Sequence, residues 1–390
     1  MNKIPKGWEK YYLSDCFNAI SIKNKIKTKD YLPQGKFPII DQGQDFISGY
    51  SNDENLLIKV KKPIIIFGDH TRCFKFINFD FIAGADGIKI LEPKDNFNEK
   101  LFYYFCQILD FPNKGYSRHF QYLKKAIINF PKNLSEQKAI VDKLDDSFAK
   151  IENAITNLIN AKENLKLYKQ SVLKSAFNGD LLPNTSPTHW EVKKLGEICE
   201  INPKTEILLL NESDEVSFIP MASVEAETNI FTESKSKFSK VKKGYTKFRD
   251  NDILFAKITP CMENGKICIV NNLKFGIGFG STEFHVIRPN KNTLSKYIYY
   301  FVSQISFRQM AQIYMTGAVG QRRVPSKILE NFEIPLPPLS EQNLIVAEIN
   351  RRFAIVDKTL NLIDKSIQNA KNLKQSILKK AFSGELRSEI

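Results

Sequence analysis

The sequence predicts an α+β chain in which two globular α/β domains alternate with two long helices that pair as an antiparallel coiled coil. Three observations carry this expectation. A 48-residue stretch opening with Leu134-Ser135-Glu136-Gln137 recurs without a gap from Leu339-Ser340-Glu341-Gln342, with about 19 positions identical. Within each copy the apolar residues advance by alternating steps of three and four, the spacing of a helical seam. Elsewhere they come in short runs bounded by Gly, Asp and Pro, which is the chemistry of strands and turns.

In chain order, residues 1–133 form the first domain, 134–183 the first long helix, 184–338 the second domain and 339–390 the second long helix. Strands are expected in the first domain at Phe37–Ile40, Pro63–Phe67 and Gly87–Leu91. They are followed by a helix from Leu101 to Leu109 and a polar segment from Lys114 to Tyr122. The first long helix starts after Pro131, where Ser135 is placed to cap the free amides and Glu136 to meet the positive end of the dipole. Its seam is Val141, Leu144, Phe148, Ile151, Ile155 and Leu158, and Gly179 supplies a residue suited to a left-handed C-terminal turn.

The second half repeats this order. Trp190-Glu191-Val192-Lys193-Lys194-Leu195 echoes Trp8-Glu9-Lys10-Tyr11-Tyr12-Leu13. Strands are expected at Ser217–Ile219, Asp252–Phe255, Lys266–Val270 and Glu283–Ile287, then one helix over Ser295–Ile313. The second long helix starts after Pro335, Pro337 and Pro338 with Ser340 as cap, carries the seam Val346, Ile349, Phe353, Val356, Leu360 and Ile363, and closes at Gly384. Each helix should measure on the order of 65 Å. Because neither stripe can stay exposed, the simplest partner for each helix is the other. Apolar residues outside the seam, Ile140, Ile159, Leu167, Ile345, Leu362 and Ile367, leave surface for partner helices.

The formal charge of +14 favours an anionic partner, nucleic acid or an anionic surface, although lysine outnumbers arginine and a lysine-rich surface also serves solubility. Six cysteines without close pairs and only four histidines argue against structural zinc, so the cysteines read as buried thiols in a reducing compartment. The N-terminus lacks the apolar stretch of a signal peptide, and no uncharged run approaches a membrane span, so a soluble, cytoplasmic protein is expected.

The tandem order, the Leu-Ser-Glu-Gln helix starts and the closing Gln375-Ser376-Ile377-Leu378-Lys379-Lys380-Ala381-Phe382-Ser383-Gly384-Glu385-Leu386 resemble the DNA-specificity subunit of Type I restriction–modification systems, over essentially the whole chain. The resemblance implies two target-recognition domains held apart by the paired helices. It implies assembly with two methyltransferase subunits and, in the restricting form, two translocase–nuclease subunits. S-adenosylmethionine, ATP and Mg2+ would then belong to those partners, with no cofactor on this chain.

Signs of catalysis are few. Gly276-Ile277-Gly278-Phe279-Gly280 is followed by a strand-like run where a dinucleotide site needs a helix, and Gly265-Lys266 lacks the spacing of a phosphate loop. No Asn-Pro-Pro-Tyr or Asp-Pro-Pro-Tyr segment is present. Asp69-His70 has the form of an acid–base pair but no neighbouring nucleophile, so a DNA-contacting loop is the better reading.

Candidate DNA contacts follow from side-chain chemistry. Arg72 and Arg118 are the only arginines before Arg249, each beside a histidine, His70 or His119. A guanidinium fork fits guanine O6 and N7, and pairing with a carboxylate of the protein is the structural alternative. Gln42 and Gln44 could read adenine or close a turn, and Gln121 lies in the same polar segment as Arg118. In the second domain the candidates are Lys257, Thr259, Glu263, Asn264, Lys266, Ser281, Thr282, Gln321, Arg322 and Arg323.

The resulting reading is a non-catalytic subunit that recognises a bipartite, asymmetric DNA target. One alternative keeps this role but serves a fused methyltransferase–nuclease. A second is a coiled-coil scaffold that binds protein alone, and a third, a stand-alone nuclease, requires cutting by the purified chain with metal.

Overall fold

A computed structural model of the protein describes residues 4–22, 24–84, 87–110, 117–183, 187–207 and 210–386. The chain divides into two compact units, Met1–Ile159 with Asp364–Ile390, and Asn160–Ile363. Each unit therefore holds one sheet-rich domain and a stretch of each long helix, which span Leu134–Asn178 and Leu339–Ser383.

In the first unit Trp8–Tyr12 pairs antiparallel with Ile127–Pro131. One four-stranded antiparallel sheet runs in the order Phe17–Ile20, Ile88–Pro93, Ile64–Gly68, Phe74–Ile77. A second has the order Gly49–Ser51, Phe37–Ile40, Phe81–Ala83, Leu57–Ile58, with its two central strands parallel. The continuous apolar run Ile64-Ile65-Ile66-Phe67 is buried throughout because that strand is covered on both faces.

The second unit has the same topology. Glu191–Lys194 pairs with Glu333–Leu336, and the sheet order Cys199–Ile201, Phe284–Pro289, Ile253–Ala256, Ile267–Ile269 matches strand for strand. So does Ser234–Lys237, Glu215–Ile219, Ile277–Gly280, Thr246–Arg249, again with its central pair parallel. Register confirms the equivalence: Ile65 lies opposite Leu91, and Ile253 opposite Ile287. The domains differ in sequence between their ends yet share one fold, which period-two patterns alone do not reveal. The glycines of Gly276–Gly280 serve this sheet. A Cβ on Gly278 would come within 2.2 Å of the Phe248 ring, so glycine is required by packing and no helix follows to cradle phosphate.

The repeated Leu-Ser-Glu-Gln is a bracket between helix and domain. Glu136 accepts from Trp8 Nε1 at 2.9 Å and Glu341 from Trp190 Nε1 at 3.0 Å. Gln137 and Gln342 are 0% exposed and fully used. Gln137 donates to the Asn96 and Pro131 carbonyls and accepts from Asn98 N, while Gln342 donates to Asn292 and Pro337 and accepts from Leu294 N. The expected serine caps are replaced. Asn133 Oδ1 accepts from Ser135 N, and the Pro338 carbonyl accepts from Glu341 N and Gln342 N, because each serine already lies within the first turn.

Gly179 and Gly384 both take φ +82, as expected for a helix terminus, and a Cβ there would strike Pro187 or Pro5. Those prolines each accept, through their carbonyl, from the N–H of Trp190 or Trp8, so helix end and domain entry are built alike in both units.

The seam residues lie in mixed cores of helix and domain. Val141, Leu144, Phe148 and Ile151 share a core with Leu378, Ala381 and Phe382 of the other helix, and with Phe105 and Phe130. Val346 and Ile349 pack with Val172, Leu173 and Phe177, and Val356 is buried. Ile155 and Phe353 pack at the edges of these two cores, Leu158 and Leu360 are half-buried, and Ile363 is buried. Ile140 and Ile345, expected as outer surface, are instead buried, since the face beside the seam is covered by the unit's own domain. Ile159, Leu167 and Leu362 are exposed, and Ile367 is half-buried.

Three further expectations change. The helix over Leu101–Leu109 runs Glu99–Cys106, because Asn98 Oδ1 caps Lys100 N and Leu101 N. The helix over Ser295–Ile313 is two, Ser295–Val302 and Ile305–Ile313. Ser303 turns its hydroxyl onto Tyr299 O, and Gln170 of the first long helix accepts from Ile305 N at 2.9 Å to start the second segment. Among the cysteines, Cys73 and Cys261 are half-exposed; burial pushes Cys16, Cys199 and Cys268 up to about 12. No helix among the described residues is long and apolar enough to cross a membrane.

Candidate nucleic-acid interface

In each domain the central strand of the first sheet ends in a loop that meets two others. In the first, Gly68 N donates to Cys73 O at 2.9 Å and Arg72 N to Gly68 O at 2.8 Å, closing a turn over Gly68–Cys73. Asp69 ties this turn to its neighbours: its N–H donates to Gly87 O at 2.6 Å, and its carbonyl accepts from His119 N at 2.9 Å. Its carboxylate accepts from Phe120 N at 2.7 Å. Gln42 joins from the second sheet, accepting through Oε1 from His70 N and through its carbonyl from Thr71 Oγ1.

The second domain repeats this junction at Lys257. Ala256 N donates to Lys266 O at 3.1 Å, Lys257 N to Glu283 O at 2.9 Å, and Val324 N to Lys257 O at 2.9 Å. Position by position, Asp69 corresponds to Lys257, Gly87 to Glu283 and His119 to Val324. The candidate segments chosen from unrelated sequence in the two domains thus occupy the same loops of one fold. Residues 114–116 of the first polar segment lie outside the described residues.

The individual candidates divide by what already holds them. His119 is 0% exposed, with Nδ1 donating to Asp69 O at 2.9 Å, so it supports the junction and offers nothing to a ligand. Asp69 is likewise buried and capped, which removes the acid–base reading of Asp69-His70. Gln42 is engaged with the His70 backbone, which limits it to a positioning role. Thr259 donates to Glu263 at 2.8 Å, Ser281 Oγ accepts from Glu283 N at 3.2 Å, and Lys266 Nζ donates to Met221 O at 3.1 Å. These polar ends are committed within the protein.

The two candidate arginines of the second domain, Arg322 and Arg323, are committed as well, contrary to their selection as contacts. Arg323 forms a two-pronged pair with Glu283, at 2.9 and 2.8 Å, and donates to Gln321 O. The paired guanidinium holds the Glu283 carboxyl below its ordinary range. Arg322 donates to Met315 O at 2.9 and 3.3 Å. Arg72 and Arg118 show the reverse: neither makes an ion pair or side-chain hydrogen bond among the described residues. Arg118, Gln44, Gln121, Asn264, Thr282 and Gln321 are exposed; Arg72, His70 and Lys257 are half-buried.

Two clefts adjoin these loops. In the first domain a polar cleft of about 430 Å³ is lined by Gln44, Arg72, Lys75 and Asp110, among others. In the second a cleft of about 640 Å³ is lined by Asn202, Lys204, Tyr245, Lys247, Lys257 and Thr282. Lys204, Tyr245 and Lys247 escaped the sequence reading because lysine is everywhere in this chain. The basic run around one aromatic, Lys242-Lys243-Gly244-Tyr245-Thr246-Lys247, is the signal that was available. His285 beneath this cleft donates from Nε2 to Val324 O at 2.7 Å, and burial lowers its pKa. Among the described residues no cluster of His, Cys, Asp or Glu is arranged to hold a metal.

A profile of the Type I restriction modification DNA specificity domain matches residues 5–161 and 187–371. The specificity subunits of the Type I restriction enzymes EcoEI and EcoAI of Escherichia coli are each 38% identical over 205 residues, 51% of this chain and 34% of theirs. The chain thus spans about a third of the length of these two relatives by 34% coverage. The EcoR124I/EcoR124II specificity subunit, also of Escherichia coli, is 25% identical over 374 residues, 90% of this chain and 87% of that one. Among solved structures, a chain from work on complex assembly and conformational transition of the type I R-M system superposes with a TM-score of 0.70 at 17% identity, covering 98% of this chain and 100% of that chain. The HsdS subunit from Thermoanaerobacter tengcongensis gives 0.54 at 19% identity, covering 98% of each. These two likenesses concern the fold.

Proposed function

The chain belongs to the family of the Type I restriction modification DNA specificity domain, and from that premise we propose that it is the non-catalytic, DNA-reading subunit of a Type I restriction–modification complex. The observation that carries the reading is the convergence of the candidate segments on corresponding loops: Gly68–Cys73 with the Arg118 segment in one domain, Ala256–Lys266 with Gln321–Arg323 in the other. Binding residues concentrate on loops presented by a rigid scaffold. One fold used twice with different loop chemistry suits two half-sites of different sequence.

The domain limits proposed are 1–133, 134–183, 184–338 and 339–390, with the helices acting as spacer. Exposed apolar residues on the helices, Ile159, Leu167, Leu344, Ile355, Leu362 and Leu373, support docking of partner subunits there. The partners in this reading are duplex DNA, two methyltransferase subunits and, in the restricting form, two translocase–nuclease subunits. S-adenosylmethionine, ATP and Mg2+ act on those subunits, and the complex works in the cytoplasm. Flipping and modification of the base are left to a partner with an active site.

The test is base-resolution mapping of adenine methylation in cells with the intact locus and in cells lacking this chain alone. Loss of a motif made of two unlike half-sites around a fixed gap is the expected result. An unchanged methylome, with the methyltransferase expressed and active, would overturn the reading in favour of a scaffold.

A further inference from the structure

We infer that Arg72 is the guanine-reading residue of the first domain, and that the corresponding loops of the second domain read their half-site without an arginine. The inference rests on the DNA-reading function proposed above and adds to it the base class and the residue.

Arg72 sits at φ +62, a left-handed conformation that side-chain-bearing residues seldom adopt. The turn that imposes it is held at several points: Gly68 N to Cys73 O, Arg72 N to Gly68 O, and Thr71 Oγ1 to Gln42 O at 2.5 Å. A Cβ on Gly68 would lie 2.2 Å from Thr71 Oγ1, so the turn closes only over glycine. Such strain persists where the surrounding structure overdetermines it, and it concentrates at functional sites. Here it places a guanidinium at the polar cleft of about 430 Å³.

The cleft has a definite chemical preference. Lys75, 5% exposed, lines it beside Arg72, its ammonium donating to Asp45 O at 2.5 Å and lying 3.9 Å from the Asp41 carboxylate. The Lys75 charge is met by Asp41, which leaves the Arg72 guanidinium and the Gln44 amide facing one exposed carboxylate, Asp110, which forms no ion pair with Arg72. The major-groove edge of guanine presents two acceptors, O6 and N7, and matches a guanidinium fork that has no partner among the described residues; adenine puts its N6 donor against it.

The second domain gives the contrast. Both prongs of Arg323 are on Glu283, and Arg322 is on the Met315 carbonyl. At the junction itself Lys257 replaces Asp69, a single mobile cation without a fork.

The experiment selects bound duplexes from a randomised pool with the full chain and compares Arg72→Gly, which suits the left-handed backbone, and Arg72→Lys. The expected result is a motif in which one G·C pair of one half-site loses about 10–100-fold of its preference in both variants, with the other half-site unchanged. Replacing that guanine with 7-deazaguanine, which lacks the N7 acceptor, should weaken the wild-type chain to a similar extent and leave Arg72→Gly unaffected. The wild-type arm stands even if a variant fails to fold: tolerance of 7-deazaguanine at every guanine of the motif overturns the inference. A uniform loss across sequences with a shallower salt dependence also overturns it, making Arg72 a phosphate contact while the DNA-reading function survives. No motif from the wild-type chain would overturn both.

Discussion

Lys374 holds its ammonium 4.8 Å from the centre of the Phe148 ring while pairing with Glu152 at 2.7 Å. Lys169 repeats the arrangement 4.9 Å over Phe353, with Asp357 at 2.5 Å. Each lysine belongs to a Lys-Gln-Ser of the repeat and each ring to the other helix, so the identical residues of the two copies meet reciprocally. Partner numbers fall along one helix as they rise along the other, which is the antiparallel pairing.

Phe148 is buried, so Phe148→Ala should destabilise the first unit by about 3–5 kcal/mol. Lys374→Gln, at an accessible pair, should cost only about 0.5–1 kcal/mol. Thermal unfolding ranks the two; equal effects would mean that the clasp contributes as much as the packing.

Gln137→Met should cost more than its size suggests. It strands Asn98 N and the Asn96 and Pro131 carbonyls, at about 1–3 kcal/mol for each group left buried without a partner. Gln121→Met, at an exposed position, should be near neutral. Hydrogen exchange at Asn98, faster only in the first variant, checks the assignment.

The Glu283–Arg323 pair makes a pH prediction. The carboxyl is held below its ordinary value of 4.5, chiefly by hydrogen bonds from Arg323. The pair therefore stabilises the fold fully above the unfolded value, and the contribution is lost as pH falls through the depressed folded value. Glu283→Gln should lower Tm at neutral pH, and the gap from wild type should close below the carboxylate range. A pH-independent gap would assign the loss to packing.

Arg118→Ala and His119→Ala should separate contact from support. Arg118 is exposed, and its removal should leave Tm unchanged while reducing the salt slope of DNA binding by about one phosphate contact. Loss of buried His119 should lower Tm and impair only the half-site read by the first domain. A normal Tm for His119→Ala would refute its supporting role.

The helices and the broad run of strands were legible because their signal is periodic and local. The seams from Val141 to Leu158 and from Val346 to Ile363, each within a 45-residue helix, and runs such as Ile64-Ile65-Ile66-Phe67 state their period within a few turns of chain. The break at Ser303-Gln304 was not legible, since the group that starts the next helix, Gln170, lies 135 positions away. The candidate loops could be located from residue type, but the state of each side chain could not. Arg72 and Arg323 look alike in sequence, and only a carboxylate from a distant strand loop, Glu283, separates an occupied fork from one that has no partner among the described residues.

By itself the sequence determined the duplicated order of domain and helix, where the two long helices start and which glycines follow them, and the absence of local signatures for phosphate-loop or amino-methyltransferase chemistry. These follow from spacing and composition, which act along the chain. The tertiary structure decided that the two domains share one topology, that Asp69 and Lys257 hold corresponding junctions, that Ile140, Ile345 and His119 are interior, and which arginines are already paired. Those outcomes depend on partners brought together across tens to hundreds of residues, where burial and hydrogen-bond geometry, and not residue type, determine what a side chain has left to offer.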